Sequence, residues 1–364
     1  MFITKKTNKE LYLPFLMQVF GEFIDNQIIV KKQKDSGRLY NRSHFGTLNS
    51  KGQAQLDLLE GIFLLGEKKI KIFENKKELN FQTLVNIATQ IISEFEIKYL
   101  IFRDLRNRGL AIKLCNKNEQ TTFYQFKQKK EKKCVISAFS ERDILDINQT
   151  KNLIQNITEK NEELWYAIVD EEGDLTYYRV SFQDMKGEVF ESTYPKGHGI
   201  LLKNRIILFD SKLSDALFQK EFFGKPFGEG LQLSLVEGLY LLRKKVIDIV
   251  STQNKTLSEK NCKEIIYKLQ PDIKERLIVF SDLKKRGLIV KTGFKFGAHF
   301  RAYTKQPDKT HAEYLIHVVD KDFKSLWAEM SRAVRLAHSV NKEIVFARVD
   351  GKKIDYIKFG RLRP

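Results

Sequence analysis

The 364-residue sequence is poor in the features that mark several special classes of protein. It has three cysteines, Cys115, Cys134 and Cys262, without the spacing of a metal or disulfide motif. An odd count of this kind is typical of a reducing cytosol, so we expect a cytoplasmic protein. Only six prolines occur and no linker rich in glycine and serine stands out, so we do not expect a disordered chain.

Long hydrophobic runs are also missing. The apolar stretch LYLPFLMQVF at residues 11–20 is interrupted by Pro14 and followed closely by Glu22 and Asp25. It is too short to span a membrane and has no small-residue cleavage site. We therefore expect neither a membrane segment nor a signal peptide.

Acidic residues are outnumbered: 46 Asp and Glu face 64 Lys and Arg, for a net charge of +18. Cationic side chains gain affinity for polyanions by releasing counterions from phosphates, so nucleic acid is the partner that this balance favours. A proteome that is simply rich in lysine is the alternative explanation.

Histidine is almost absent from the first half of the chain, with none between His44 and His198, although the chain repeats itself. Residues 99–113 (YLIFRDLRNRGLAIK) match residues 277–291 (LIVFSDLKKRGLIVK) at seven of fifteen positions. Two further blocks match in the same order at similar offsets, 55–65 with 232–242 and 165–170 with 345–350. Three collinear matches indicate one unit of about 180 residues that is present twice.

Each copy divides into two modules. The first has short strands before an amphipathic helix, and the second begins with a helix that ends at a capping glycine, Gly109 or Gly287, and closes with a hairpin. We predict an α+β fold built by tandem duplication, in which each unit has a small N-terminal α/β subdomain and a C-terminal mixed-sheet module flanked by helices. The predicted boundaries are 1–93, 94–183, 184–270 and 271–364.

The second copy carries three polar residues at predicted element ends. Tyr303 ends a strand, His311 begins the next strand after a polar loop, and Lys342 lies between a helix and a strand. Side chains at such positions can converge on a cleft, where these three types can supply acid-base catalysis and a fixed positive charge. Taken singly, each has an ordinary structural explanation, such as core packing for Tyr303 or a helix-end charge for Lys342.

The first copy lacks this set. Its nearest tyrosine, Tyr124, is one position away from alignment with Tyr303, no histidine aligns with His311, and Glu162 aligns with Lys342. This difference is expected if one copy retained chemistry while the other retained only architecture.

Two charged features accompany the set. The first copy has a predicted hairpin tip with four acids, which is either ordinary turn chemistry or a surface that docks into a basic pocket on a partner subunit: Asp170, Glu171, Glu172 and Asp174. The last 34 residues hold nine Lys or Arg, including Arg335 on the helix before Lys342. Arginine planes can stack on unpaired RNA bases.

At these residues the chain resembles the archaeal tRNA-splicing endonucleases, over essentially all of both units. The resemblance rests on KTGFKFGAHFRAY, THAEYLIHVV and RLAHSVNKEIVFARVD, with Tyr303, His311 and Lys342 at the family's positions. The layout is similar to that of the homodimeric subtype, in which each chain joins a degenerate, pseudo-catalytic copy to a catalytic copy with a nuclease-like module.

The resemblance implies a metal-independent endoribonuclease of the tRNA-intron lyase class, without a cofactor. Its substrate would be precursor tRNA folded as a bulge-helix-bulge, and its products would carry 2′,3′-cyclic phosphate and 5′-hydroxyl ends. Tyr303 would be the general base, His311 the general acid, and Lys342 the charge that stabilises the transition state. Because tyrosine is a weak base at its ordinary pKa, a nearby cation is required for its role.

The resemblance also implies roles for the charged features. The acids Asp170, Glu171, Glu172 and Asp174 would dock against the other protomer of a homodimer. Arg335 would be one of two arginines that enclose a bulged base. We assign Arg361 as the second, with Lys358 and Arg363 as alternatives.

Two other functions stay open at this point. One is a catalytically silent RNA-binding or scaffold paralogue within a larger RNA-processing assembly. The other is a metal-dependent nuclease, which requires clustered carboxylates at strand ends. The second copy has only the separate acids Glu313 and Glu343 in that region.

Overall fold

A computed structural model describes residues 18–115, 121–125, 134–190, 192–307 and 310–364. Most of the apolar stretch at 11–20 lies outside these ranges. The chain forms two compact units, one up to Ala138 and one over Phe139–Arg363. The second unit therefore contains the last elements of the first repeat together with nearly all of the second repeat. The four module boundaries drawn from the repeat remain a prediction.

The first unit contains four helices and two groups of strands within the described residues. Its elements are β1 (Val19–Ile24), β2 (Gln27–Val30), α1 (Gln33–Ser43), β3 (Thr47–Leu48), β4 (Ala54–Leu56), α2 (Leu58–Gly66), β5 (Ile70–Glu74), β6 (Lys77–Leu79), α3 (Phe81–Ile91), α4 (Phe95–Asn107), β7 (Ile112–Leu114), β8 (Phe123–Gln125) and the start of β9 (Cys134–Ser140). Strands β7, β8 and β9 pair antiparallel.

The second unit begins with the end of the first repeat. Its first elements are β10 (Ile144–Asp146), α5 (Ile147–Glu159), β11 (Glu163–Val169) and β12 (Leu175–Phe182). The N-terminal module of the second repeat follows as β13 (Gly197–Leu201), β14 (Ile206–Leu208), α6 (Ser211–Glu221), β15 (Lys225–Phe227), β16 (Gly230–Leu233), α7 (Leu235–Arg243), β17 (Ile247–Val250), β18 (Thr256–Leu257) and α8 (Glu259–Leu269). The last module contains α9 (Ile273–Lys285), β19 (Ile289–Thr292), a 3₁₀ turn (Phe294–Phe296), β20 (Phe300–Tyr303), β21 (Tyr314–Asp320), β22 (Lys324–Leu326), α10 (Trp327–Ser339), β23 (Glu343–Asp350) and β24 (Lys353–Leu362).

The duplication predicted from the sequence is visible in the strand order. The first N-terminal sheet runs β3-β4-β2-β1-β5-β6, and the second runs β15-β16-β14-β13-β17-β18. In each sheet one central pair is parallel, β1 with β5 and β13 with β17. Both copies therefore have the same small mixed sheet, which confirms the α+β tandem repeat.

The same local chemistry shapes the helices of both copies. Helices α2 and α7 both begin with a capping box, in which the Asp57 or Ser234 side chain and a glutamate three residues later satisfy each other's backbone N–H groups. Helices α4 and α9 both end just before a glycine with positive φ, 85° at Gly109 and 81° at Gly287. The predicted glycine stops are confirmed, because only glycine adopts this backbone region without steric cost.

The large sheet of the second unit joins the two repeats. Its strands run β19-β20-β21-β23-β24-β12-β11, with β21 and β23 parallel and the other neighbours antiparallel. Helix α10 connects the parallel pair, as such a crossover requires. Strand β12 pairs with β24 over six positions, from Tyr177 opposite Leu362 to Phe182 opposite Ile357.

Buried aromatic and ionic contacts hold this junction. The Trp327 ring stacks on Tyr178 at a centroid distance of 6.1 Å and meets Tyr166 edge-on at 5.5 Å. Arg348, only 4% exposed, pairs with Asp355 at 3.0 Å and donates to the Asn148 amide oxygen at 2.7 Å. The structural repeat thus supports the strands that bear the candidate site. Within the described ranges, no helix is long and apolar enough to cross a membrane.

Candidate active site

Tyr303 is the last residue of β20, as predicted. It lies opposite Ile289 in the register with β19, and only 8% of its surface is exposed. Its buried neighbours are Ile289 and Ala312, with Val189 and Phe222 packed against them. The Arg301 guanidinium lies 5.8 Å from the centre of the Tyr303 ring, so a positive charge is close to this side chain.

The prediction that His311 begins a strand is wrong. Strand β21 begins at Tyr314, and His311 lies in the exposed segment just before it. The reason is that the pairing of β20 with β21 ends at Ala302, which lies opposite Tyr314. Beyond it, the Thr304 carbonyl accepts from the Glu188 N–H at 2.9 Å, so this part of the chain bonds to a different segment.

Lys342 lies between α10 and β23, as predicted, and is half-buried. Its ammonium donates to the Val340 carbonyl at 3.3 Å and lies 5.4 Å from the centre of the Phe296 ring. Its backbone N–H closes the end of α10 by donating to the Ala337 carbonyl at 2.9 Å. These contacts hold the charge at the junction between the helix and the strand.

Three strand ends bring the predicted residues to one edge of the sheet. Ala302 pairs with Tyr314, so the end of β20 lies beside the start of β21, and Tyr314 pairs with Glu343, so the starts of β21 and β23 are adjacent. Tyr303, His311 and Lys342 each lie within three residues of these pairs. Residues distant in the sequence are therefore brought to neighbouring strand ends.

The first copy places different residues at the corresponding points. In the register of β7 with β8, Gln125 lies opposite Ile112, which is the position that Tyr303 takes opposite Ile289. Gln125 is buried, and its amide oxygen has no hydrogen-bond partner among the described residues. Glu162 lies directly before β11, as Lys342 lies before β23. Of the segment KKCVISAF (132–139), which aligns with the region of His311, only the first two residues lie outside the described residues, and the other six belong to β9.

The two acids beside the candidate site, Glu313 and Glu343, both have partners. Glu313 accepts a hydrogen bond from the Thr304 hydroxyl at 2.6 Å, and Glu343 pairs with Lys358 at 3.2 Å. Burial, with Glu343 and Glu313 nearby, raises the pKa of Tyr314. Among residues 18–115, 121–125, 134–190, 192–307 and 310–364, no three histidine, cysteine or acidic side chains are grouped so that they could hold a metal ion.

Arg335 and Arg361 are both exposed, and both lie near the Tyr178 hydroxyl. Burial raises the pKa of Tyr178, while Ser331 and the two guanidinium groups oppose this rise. The hydroxyl makes no hydrogen bond of ordinary geometry to a described residue, although Ser331 is close. Arg361 lies directly opposite Tyr178 in the β12–β24 register, and Arg335 lies on α10. Of the alternatives, Lys358 is paired with Glu343, and Arg363 follows the end of β24.

The four predicted acids form the exposed turn between β11 and β12. The Asp170 carboxylate accepts from the backbone N–H groups of Glu172, at 3.1 Å, and Asp174, at 2.9 Å, so the turn has a defined shape. Glu171 forms an ion pair with Arg142. The acids therefore project from an ordered hairpin.

Two other histidines have structural surroundings. His299 Nδ1 accepts from the Val318 N–H at 2.8 Å, and the His317 ring stacks on Phe346 at 5.3 Å. Burial, with His299 nearby, lowers the pKa of His317 to about 4. His317 is therefore neutral at neutral pH and packs inside β21, whereas His299 lies just before β20.

Several contacts at the site were not predicted from the sequence. No periodicity or motif marks the contact of Phe296 with Lys342, the pair of Glu343 with Lys358, or the place of Arg361 opposite Tyr178. The only signal for Phe296 is its place in the stretch KTGFKFGAHFRAY.

Comparison with known proteins identifies both parts of each repeat. A model of the tRNA intron endonuclease N-terminal domain matches residues 19–85 and 197–262, and one of the catalytic C-terminal domain matches residues 95–177 and 273–356. The tRNA-splicing endonuclease of Methanococcoides burtonii is 33% identical over 354 residues, which cover 94% of this chain and 99% of that protein. The one from Methanosarcina mazei is 32% identical over 336 residues, which cover 89% of this chain and 94% of that protein.

A third relative has the size of one repeat. The tRNA-splicing endonuclease of Methanococcus vannielii is 35% identical over 165 residues, which cover 93% of that protein and only 45% of this chain. The two domain models match twice here, and the longer relatives align from end to end. The chain belongs to the tRNA-splicing endonuclease family.

Proposed function

We propose that the chain is an endoribonuclease that excises introns from precursor tRNA by cutting bulge-helix-bulge RNA without a metal ion. The observation that carries this proposal is that neighbouring strand ends of the second copy carry or adjoin Tyr303, His311 and Lys342, a set that the first copy lacks in its sequence. The family membership supports tRNA as the substrate, and the net charge of +18 suits an RNA ligand.

The proposed reaction is an internal transfer at phosphorus. Tyr303 takes the proton of the 2′-hydroxyl, whose oxygen attacks the adjacent phosphate. The bond from phosphorus to the 5′-oxygen breaks, and His311 donates the proton that this leaving oxygen needs. The products are a 2′,3′-cyclic phosphate and a 5′-hydroxyl, and Lys342 offsets the extra negative charge at phosphorus as it develops.

The environment of each residue suits its role. The Arg301 guanidinium near Tyr303 adds the positive charge that a tyrosine base requires. His311 is exposed, so it can reach a leaving group on a bound RNA and exchange protons with water. Lys342 is held by Phe296 and the Val340 carbonyl. Its side chain therefore loses little conformational freedom when the transition state forms.

The test is cleavage of an end-labelled bulge-helix-bulge RNA in excess EDTA. We expect cuts in both bulges, with fragments that carry cyclic phosphate and 5′-hydroxyl ends. Ends are identified by acid opening of the cyclic phosphate and by labelling with polynucleotide kinase without prior dephosphorylation. Cleavage that stops with EDTA and returns with Mg²⁺ would refute the metal-free mechanism, and binding without any cleavage would favour the scaffold function.

We also propose that the chain works as a homodimer in which the hairpin of Asp170, Glu171, Glu172 and Asp174 docks on the partner protomer. The turn is ordered before binding, which lowers the entropy lost on docking. Arg335 and Arg361, which share Tyr178, are proposed to enclose a bulged base.

Neutralising this hairpin by Asp170→Asn, Glu171→Gln, Glu172→Gln and Asp174→Asn is expected to weaken the dimer by about 100-fold or more, since several charge contacts are lost together. Sedimentation of native and variant protein over a concentration series measures this. Lys352→Gln with Lys353→Gln, in the equivalent hairpin of the second copy, is the matched control. An unchanged dimer in the four-fold variant would contradict the docking role.

A further inference from the structure

A second charged and aromatic feature of the second unit lies outside the three-residue edge. It is a groove of about 590 Å³ between the ends of α7 and α9 and the segment that enters the second repeat. Its lining residues are Phe190, Tyr240, Arg243, Lys244, Ser281 and Lys285. An adjoining cavity of about 280 Å³ shares Tyr240 and Lys244 and adds Lys196 and Lys245.

The described residues of the groove and of the adjoining cavity carry more basic than acidic side chains. Lys196, Lys245 and Lys285 are exposed, and no carboxylate of a described residue lies within ion-pair distance of them. Arg243 lies 3.6 Å from Glu259 at the margin. The acid in the adjoining wall, Glu221, is neutralised by Lys284 at 2.8 Å, so it does not offset the lysines. A cleft lined by charge of one sign concentrates ligands of the opposite sign.

An exposed aromatic ring lies beside these charges. Phe190 is 63% exposed, so its ring is accessible to a ligand. The backbone before it is held, because the Val189 N–H donates to the Gly287 carbonyl at 2.8 Å. A side chain at Gly287 would come within 3.1 Å of the Phe190 ring, so glycine leaves room for this placement. Aromatic faces next to cations bind unpaired bases without regard to sequence.

The chain itself connects the groove to the candidate active site. Val189 packs against the cluster that contains Tyr303, and Phe190 is the next residue. Glu188 donates its N–H to the carbonyl of Thr304, which follows Tyr303.

Some of these groups differ in the first copy. Arg243 and Lys244 align with Gly66 and Glu67 at the end of α2, and Lys285 aligns with Asn107 at the end of α4. Lys245, in contrast, aligns with Lys68.

We infer that this groove is a second RNA subsite, which holds the backbone phosphates and stacks one unpaired base of the strand beyond the cut. The inference rests on the proposed function for the identity of that strand. Lys244 and Lys285 contact phosphates, and Phe190 provides the stacking face.

The test is equilibrium binding of a fluorescent bulge-helix-bulge RNA to His311→Ala protein, with a gel to show that the RNA stays intact. In that background, Lys244→Gln with Lys285→Gln is expected to weaken binding about tenfold or more. The slope of log affinity against log salt should fall by about one per lysine removed. Phe190→Ala is expected to lower the affinity for RNA with an unpaired flank by about tenfold. The affinity for a blunt duplex should change little.

Lys68→Gln with Lys69→Gln, beside the end of α2 in the first copy, removes the same charge and is the matched control. Equal losses in this control and in the groove variant would overturn the inference, because net charge alone would then explain binding. Unchanged affinity in the groove variant would overturn it too. Thermal unfolding of each variant shows that the fold is intact. A protein that binds RNA through the groove but cuts none would refute the proposed function and leave this subsite standing.

Discussion

Replacing His311 by alanine is expected to lower the rate constant for cleavage at both bulges by about 10³-fold. A positioned general acid contributes about 10² to 10⁴ in rate, and the leaving 5′-oxygen is a poor leaving group without a proton. Because His311 is exposed and lies outside the strands, its loss should leave the fold unchanged. Single-turnover cleavage with enzyme in excess measures the effect, since it separates chemistry from product release.

Two comparisons make this result specific. His338→Ala removes another exposed histidine, on α10, and is expected to cut at the native rate. Added imidazole should restore part of the activity of His311→Ala, because a small acid can enter the space of the lost side chain. A His311→Ala protein that cuts within threefold of native would remove this residue from the mechanism.

Replacing Lys284 by methionine is expected to lower the free energy of unfolding of the second unit by about 3 kcal/mol. Lys284 is 1% exposed, and its ammonium lies 2.8 Å from the Glu221 carboxylate and 4.8 Å from the centre of the Phe223 ring. The other Glu221 oxygen accepts from the Ser192 N–H at 2.7 Å and from the Tyr194 hydroxyl. Removing the lysine leaves a buried carboxylate without its counter-charge. The resulting loss of free energy of unfolding is larger than the stabilisation that the intact ion pair contributed.

The measurement is urea unfolding followed by tryptophan fluorescence. Both tryptophans of the chain, Trp165 and Trp327, lie in the second unit, so the signal reports that unit alone. The double variant Lys284→Met with Glu221→Gln should recover more than half of the loss, because glutamine still accepts from Ser192 without carrying a charge. Lys285→Met, one residue away and exposed, should change stability by less than about 0.5 kcal/mol. A Lys284→Met protein with the native free energy of unfolding would show that the ion pair with Glu221 is not needed for stability.

The repeat made much of the local structure predictable. Glycine stops and the short strands before an amphipathic helix depend on neighbours a few residues away, so both copies show them in the sequence. The start of β21 was misplaced because it depends on where β20 leaves the ladder, and Thr304 bonds to Glu188 in a different segment. Where a strand ends depends on the strands with which it pairs. The alternation of side chains along one strand does not show which strands those are.

The sequence by itself determined that one unit occurs twice. It also determined that the set of Tyr303, His311 and Lys342 is present in the second copy and missing from the first. Both conclusions need only an alignment of the chain with itself. The tertiary structure decided that these residues share one sheet edge, that Glu221 neutralises Lys284, and that Phe190 lies beside a basic groove. The physical reason is that a hydrophobic pattern shows which face of an element is buried. Which distant element covers that face depends on pairing and packing across the whole unit.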